Sequence, residues 1–279
     1  MTSVKQAYCD FLNTSEGINL YRQFKRLLYG QDDSLVQWLN SSIIEHLTTA
    51  KEPLVKVCDI GGGDGERINK ILCCLQGKFR NTFKLDFIEQ SPLYAADFDP
   101  KPLATFCETE IYKKRFEEII LPEQEFDLIF LIHSIFAFDN GSSISKVLSL
   151  RRPNGKVIVV SNSPGSFLAG LKCIVDKELT DKRYELDDLE FALQKRGINY
   201  ERNTIVTEWS ITNECWKSGM DILLNWISLG RYNSFSALKK QEIDEYISCL
   251  GTTNGVETTF REEDVALTIP STFVEPITT

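Results

Sequence analysis

Histidine is nearly missing from this chain: His46 and His133 are the only two in 279 residues. None of the eight cysteines, at 9, 58, 73, 74, 107, 173, 215 and 249, falls into a CxxC pair or beside a histidine. Metal-ligand spacing is therefore lacking, no metal is expected, and the cysteines read as reduced thiols of a cytoplasmic protein. No apolar run is long enough to cross a membrane, and the residues after Met1 contain no apolar leader, so cytoplasmic localisation is the expectation. Basic charge is also short, with 31 Lys and Arg against 40 Asp and Glu and a net charge of -9. No Lys/Arg run offsets that field, which repels phosphate backbones and anionic lipid and argues against nucleic acid or a membrane as partner. Internal repeats and low-complexity tracts are absent too.

What is present changes character along the chain. Tyr8, Phe11, Leu12, Leu20, Phe24, Leu27, Leu28, Leu35, Trp38, Leu39, Ile43 and Leu47 recur at helical spacing, which predicts a helical N-terminal lid over 1–50. From Val55 short apolar, β-branched runs alternate with amphipathic stretches: 55–60, 83–89, 126–132 and 156–161. That alternation predicts an α/β fold with a doubly wound, mostly parallel sheet. A helical stripe of Ile68, Ile71, Leu72 and Leu75 follows the first strand, and residues 144–150 form a crossover before a Pro153-Asn154-Gly155 turn. Further helices are expected near 167–177, 186–195, 219–229 and 237–250, with a strand from 200 to 211 and a C-terminal hairpin pairing 256–260 with 265–269. Together these make one domain over 1–279, with a cofactor-binding half at 51–165 and a substrate side at 166–279.

Chemistry concentrates where the strand Val55–Ile60 runs into Gly61-Gly62-Gly63-Asp64-Gly65-Glu66 and then a helix. In a doubly wound sheet such a loop lies at the carboxyl ends of the strands, where ligands bind. The spacing Gly61-x-Gly63-x-Gly65 is neither the G-x-G-x-x-G of dinucleotide binders nor a phosphate loop. Asp59 and Glu66 crowd it with negative charge, which repels a pyrophosphate and suits a cation bearing an ammonium and a sulfonium. The cofactor these residues point to is S-adenosylmethionine.

Glu89 ends the second strand in the position of a carboxylate that accepts ribose hydroxyls. Gln90 and Ser91 follow it, as further ribose contacts or, for Ser91, as the cap of a helix begun by Pro92. The strand Phe126–Ile132 delivers His133-Ser134-Ile135-Phe136-Ala137-Phe138 to the same edge. There the His133 imidazole could orient or deprotonate an acceptor, or serve structure alone. Phe136, Phe138 and Trp209 could wall an aromatic pocket for a cation, or simply fill the core.

These segments resemble the histamine N-methyltransferase family over nearly the whole chain. The likeness runs through Phe11-Leu12-Asn13, the Ile60–Glu66 loop, Glu89-Gln90-Ser91-Pro92, Val157–Ser161, Asp187-Asp188-Leu189, Gly197–Glu201 and Asp221–Trp226. The resemblance implies a Rossmann-like methyltransferase that is monomeric, with Gly61 and Glu89 binding the methyl donor and Ile132 packing near it; Asp59, Gly63, Gly65, Gln90 and Ser91 join them from the reading of the loop and strand end. His133 stands where the family has a glutamine that touches substrate. The family's substrate-holding glutamate and asparagine fall, ungapped, on Gly17 and Glu262, with Glu16 one residue from the first. The implied site therefore has Glu16 and His133 as catalytic candidates, and Glu16, His133, Phe136, Trp209 and Glu262 around a small-molecule acceptor. The expected activity is N-methylation of an aromatic or heterocyclic amine; C- or O-methylation of another metabolite and a non-catalytic cofactor-binding regulator are the alternatives, because a fold does not fix its acceptor.

Overall fold

Four short runs of apolar residues are buried on both faces, and they set the centre of the molecule. The structure, a computed structural model, describes residues 10–28, 31–49, 53–79, 81–138, 140–176 and 185–270, with the side chains of all but 44–49, 140 and 141. Tyr8, Cys9 and the side chains of His46 and Leu47 thus lie outside what it describes. In chain order the elements are α1 (Ser15–Leu27), α2 (Gln31–Thr49), β1 (Leu54–Ile60), α3 (Glu66–Phe79), β2 (Thr82–Ile88), β3 (Cys107–Tyr112), β4 (Phe126–Ile132), α4 (Asn140–Leu150), β5 (Arg151–Asn162), α5 (Phe167–Asp176), α6 (Leu186–Lys195), β6 (Glu201–Thr212), α7 (Trp216–Ile227), α8 (Ala237–Leu250), β7 (Thr252–Thr253) and β8 (Glu257–Pro270).

The sheet order is β3-β2-β1-β4-β5-β8-β6, with β7 paired to β8. β1 runs parallel to β2 and β4, β2 to β3, and β4 to β5. Chain order reverses beside β1, whose neighbours are β2 and β4, so the crevice beyond the carboxyl ends of β1 and β4 is the switch point. The sequence pattern did not list β3, and its composition shows why. It is the sheet's end strand, and its burial alternates between exposed and half-buried along Cys107-Glu108-Thr109-Glu110-Ile111-Tyr112, whereas parallel interior strands read as continuous apolar runs.

Two other segments differ from expectation. Pro153-Asn154-Gly155 lies inside β5 rather than in a turn before it: Asn154 has φ +72°, and the pairing with β4 shifts register between Phe126 and Leu128. The signal of a turn has become an irregularity within a strand. At the C-terminus no hairpin joins 256–260 to 265–269, because β8 runs unbroken through Arg261-Glu262-Glu263-Asp264, a stretch without glycine, proline or asparagine. The antiparallel partner is the short β7, turned by Asn254-Gly255 with Gly255 at φ +86°, the residue pair that favours tight hairpins.

Residue packing divides the chain into two compact units, Val36–Ser161 with Tyr184–Asn203 and Val265–Thr279, and Met1–Leu35 with Asn162–Arg183 and Thr204–Asp264. In the first, Ile129 and Leu131 of β4, Val157 and Val159 of β5, Ile144 and Val147 of α4, and Leu186, Leu189 and Leu193 of α6 form one buried cluster. In the second, Phe11, Tyr21 and Phe24 gather on Trp226 of α7 with ring centroids 5.1 to 6.2 Å away. Among the described residues, no helix is long and apolar enough to cross a membrane.

Phe130 is fully buried at the middle of β4, so Phe130→Ala should destabilise the protein by about 3 to 5 kcal/mol through lost burial and the cavity left behind. Phe191 on α6 is 67% exposed, and Phe191→Ala should cost less than about 0.5 kcal/mol. Urea unfolding of both variants beside the parent checks the contrast.

Candidate functional site

The loop after β1 is held from two sides. The N–H groups of Gly61 and Gly62 both donate to the carbonyl of Ile88 at the end of β2, at 2.8 and 3.1 Å. The hydroxyl of Ser134, just past β4, donates to the carbonyl of Ile60 at 2.7 Å. Between these anchors Gly61, Gly63 and Gly65 have φ of +75°, +63° and +73°, so the alternating glycines answer a backbone requirement.

The glycines also answer a packing requirement that the sequence did not disclose. A Cβ on Gly61 would stand 2.4 Å from the Cβ of Ser134, and one on Gly65 would stand 2.0 Å from the ring of Phe98. Phe98 itself stacks on Phe87 of β2 at 4.2 Å. The space beside these two glycines is filled by the protein's own side chains, so their lack of a side chain is required before any ligand arrives. α3 starts directly after the loop at Glu66, with Ile68, Ile71, Leu72 and Leu75 on its buried side.

Two carboxylates lie at the strand tips. Glu89 is 6% exposed; it accepts the N–H of Gly63 at 2.9 Å on Oε2 and the N–H of Ser91 at 2.7 Å on Oε1. Burial is the main cause that pushes its pKa up to about 7; the backbone donors pull it down and Asp64 adds to the rise. Asp59 is 5% exposed, and burial likewise raises it to about 7, opposed by the Arg67 guanidinium and reinforced by Glu89. Burial thus makes ionisation of each carboxyl group harder, and Glu89 adds to the effect at Asp59. A cation placed beside them would reverse that balance.

The remaining donor-side candidates have defined places. Gln90 is half-buried. Ser91 is fully buried and caps the helical turn Pro92–Ala95, accepting the N–H of Tyr94 at 3.5 Å. Ile132, 7% exposed, ends β4. His133 follows, half-buried, with φ +53° and its N–H on the carbonyl of Val160 at 2.8 Å. Phe136 is half-buried in the turn Ile135–Ala137, whereas Phe138 is buried and stacks on Phe116 at 5.7 Å. Asp59, the three glycines, Glu89, Ser91, Ile132 and His133 therefore converge on the carboxyl ends of β1, β2 and β4.

Glu16, Trp209 and Glu262 belong to the other unit. Glu16 is exposed in the first turn of α1, whose cap Thr14 accepts the N–H of Gly17 at 3.0 Å. A Cβ at Gly17 would lie 2.1 Å from the carbonyl oxygen of Phe11, so position 17 has no room for a side chain. Trp209, 5% exposed, stacks on Phe260 at 4.7 Å and meets Phe167 edge-on at 5.7 Å. Glu262 is fully buried, with the N–H of Leu168 on Oε2 at 3.1 Å and the amide of Asn162 on Oε1 at 3.2 Å. Burial first, and then Asp264, raise its pKa to about 7 against the pull of Ser166, Leu168 and Lys172. Among the described residues no group of three or more His, Cys, Asp or Glu side chains is arranged to hold a metal ion.

Ser134 and Phe98 are the residues of this edge that the sequence reading missed as members of the site. Neither belongs to a motif, and each is recognised only by what it touches.

No protein-family model and no curated protein matches the chain. Solved structures do. A candidate methyltransferase from Bacillus halodurans C-125 is similar with a TM-score of 0.51 at 16% identity, covering 82% of this chain and 98% of that one. The YcgJ protein of Bacillus subtilis is similar with a TM-score of 0.51 at 14% identity, covering 83% and 98%. At these identities the likeness is one of fold. The mostly parallel sheet with an antiparallel pair at its C-terminal end is the Rossmann-like fold of methyltransferases.

Proposed function

We propose that the chain binds S-adenosylmethionine at the carboxyl edge of β1 and β2 and transfers its methyl group to a small molecule. The observation that carries this reading is the pairing of a buried Glu89, fixed by the N–H groups of Gly63 and Ser91, with a glycine loop held on Ile88 and Ser134. The donor set fits the group. A carboxylate has roughly four acceptor positions, and the backbone N–H groups of Gly63, Ser91 and Gln90 leave one for a sugar hydroxyl. Two buried carboxylates whose charge burial resists favour a ligand that brings positive charge, and they disfavour a pyrophosphate.

When bound, the cofactor supplies a methyl group on a sulfonium whose sulfur is already a leaving group. The chain's own contribution is alignment and exclusion of water. Glu89 fixes the sugar end. Ile132, apolar and nearly buried, is the candidate wall between donor and acceptor. His133, one residue on, is the candidate contact to the acceptor, either orienting it or taking a proton from it. The resemblance of the sequence to histamine N-methyltransferases favours an aromatic or heterocyclic amine. His133 stands where the family has a glutamine that touches substrate, so the acceptor need not be histamine. A labelled methyl donor offered with a panel of amines, phenols and indoles tests the class of acceptor, and transfer to phenols or carbon acceptors alone would overturn the amine reading.

Calorimetry should find S-adenosylmethionine binding at micromolar affinity or better, with no response to NAD. Glu89→Ala should weaken that binding tenfold or more, since a charge-assisted hydrogen bond to the sugar is worth roughly 1.5 to 3 kcal/mol. An unchanged dissociation constant would reduce Glu89 to a structural strand end.

The affinity should also depend on pH. With carboxyl groups held near pKa 7 in the ligand-free protein, a cationic ligand selects the ionised form. Binding should therefore tighten as pH rises from 6 to 8, by up to about tenfold per unit for each proton released, and then level off. A flat profile would show that neither carboxylate changes protonation on binding.

His133→Ala should lower turnover or raise the acceptor KM while donor affinity stays within about twofold, the signature of a lost substrate contact. His133→Gln should retain much of the acceptor binding. Parent-like kinetics in both variants would assign His133 to structure alone.

A further inference from the structure

Ser134 is bound to the donor loop by two independent contacts. Its hydroxyl donates to the carbonyl of Ile60 at 2.7 Å, across 74 residues of sequence. Its Cβ occupies the space that a side chain on Gly61 would need, 2.4 Å from where that atom would stand. Ser134 is 5% exposed, so this hydrogen bond is shielded from water. On the other side of the same peptide the N–H of Gly61 is held by the carbonyl of Ile88, which also accepts the N–H of Gly62 in the next peptide. The Ile60–Gly61 junction is thereby fixed from β2 through its N–H side and from β4 through its carbonyl.

Ser134 also follows His133, whose left-handed backbone, φ +53°, is pinned by its N–H to Val160 of β5. A bulky residue in that conformation persists only where its surroundings hold it. Consecutive residues thus tie the tip of β4 in opposite directions, His133 to β5 and Ser134 to the loop after β1.

We propose that Ser134 is a positioning residue that sets the donor loop in register with the acceptor contact at His133, so that donor affinity depends on the Ser134 hydroxyl although it touches neither ligand. The proposal rests on the reading of this edge as the S-adenosylmethionine site. The chemistry requires such a link. In-line methyl transfer needs donor and acceptor within a fraction of an ångström of their reacting positions, and here the two contacts sit on different strands. Gly61 carries the sterically matched half of the contact: serine at 134 is compatible only with a residue lacking Cβ at 61.

The test uses S-adenosylhomocysteine as the probe, with the full chain. Ser134→Ala keeps the Cβ and removes only the hydroxyl. It should weaken the probe roughly three- to tenfold, the factor expected for one neutral hydrogen bond, while the ligand-free Tm falls by no more than a few degrees. Amide hydrogen exchange at Gly61 and Gly62 should speed up in the same variant, and Ser134→Cys, which keeps a weak donor, should fall between. If the parent protein binds no S-adenosylhomocysteine, the cofactor reading fails, and the exchange rates of Gly61 and Gly62 then decide the positioning role by themselves. Binding within twofold of the parent together with unchanged exchange at these two amides would overturn it.

Discussion

The carbonyl of Ile88 accepts two N–H groups, those of Gly61 and Gly62, and the whole carboxyl edge of the sheet depends on this pair of bonds. They hold the chain at the end of β1 against the end of β2 before α3 begins at Glu66. A strand tip buried in a parallel sheet has backbone groups that the ladder no longer satisfies. Here Ile88 and Ser134 satisfy them. Because its conformation uses positive φ at alternate positions, only glycine fits without strain, and because Phe98 and Ser134 crowd the loop, only glycine fits without collision.

Charge is buried beside that loop. Asp59 and Glu89 are each more than nine-tenths buried, and neither environment contains enough compensation to keep the carboxylate at its ordinary pKa. Buried carboxyl groups with raised pKa values recur at functional sites, because a fold optimised for stability alone would replace them. Arg67 is the cation that offsets Asp59, and its effect is smaller than that of burial. A ligand of positive charge would offset that cost of burial, which is why the cofactor proposal and the electrostatics support each other.

The second unit buries charge differently. Glu262 and Asp264 on β8 are almost wholly buried, yet they are enclosed in a polar network. Asn162 donates to both, Gln31 donates to Asp264 at 2.8 Å, and Lys172 donates to the carbonyl oxygen of the Asn162 side chain at 2.7 Å. A connected network of this kind holds Gln31, Asn162, Lys172, Glu262 and Asp264 in one arrangement within that unit, since removing any member strands a polar group. The same two residues interrupt the apolar pattern of β8, which is why the sequence suggested two short strands there.

The sequence by itself determined the elements whose signals are local. β1, β2 and β4 were legible as apolar runs because both faces of an interior parallel strand are buried, and α3 and α8 were legible from apolar spacing and from flanking polar residues. The glycine loop and Glu89 were legible because a strand, a glycine-rich turn, a helix and a second strand lie within forty residues of one another in the chain. Tertiary structure alone decided what those residues touch. β3 was hidden because an end strand need not be apolar, and the role of Ser134 was hidden because its partner lies 74 residues away. The steric demand on Gly61 and Gly65 was hidden likewise, because Ser134 and Phe98, which fill the space beside them, lie farther along the chain. The physical reason is the same in each case: backbone propensity and periodicity are encoded by neighbours in sequence, whereas steric exclusion and hydrogen-bond partnership at a sheet edge are settled only when distant strands pack side by side.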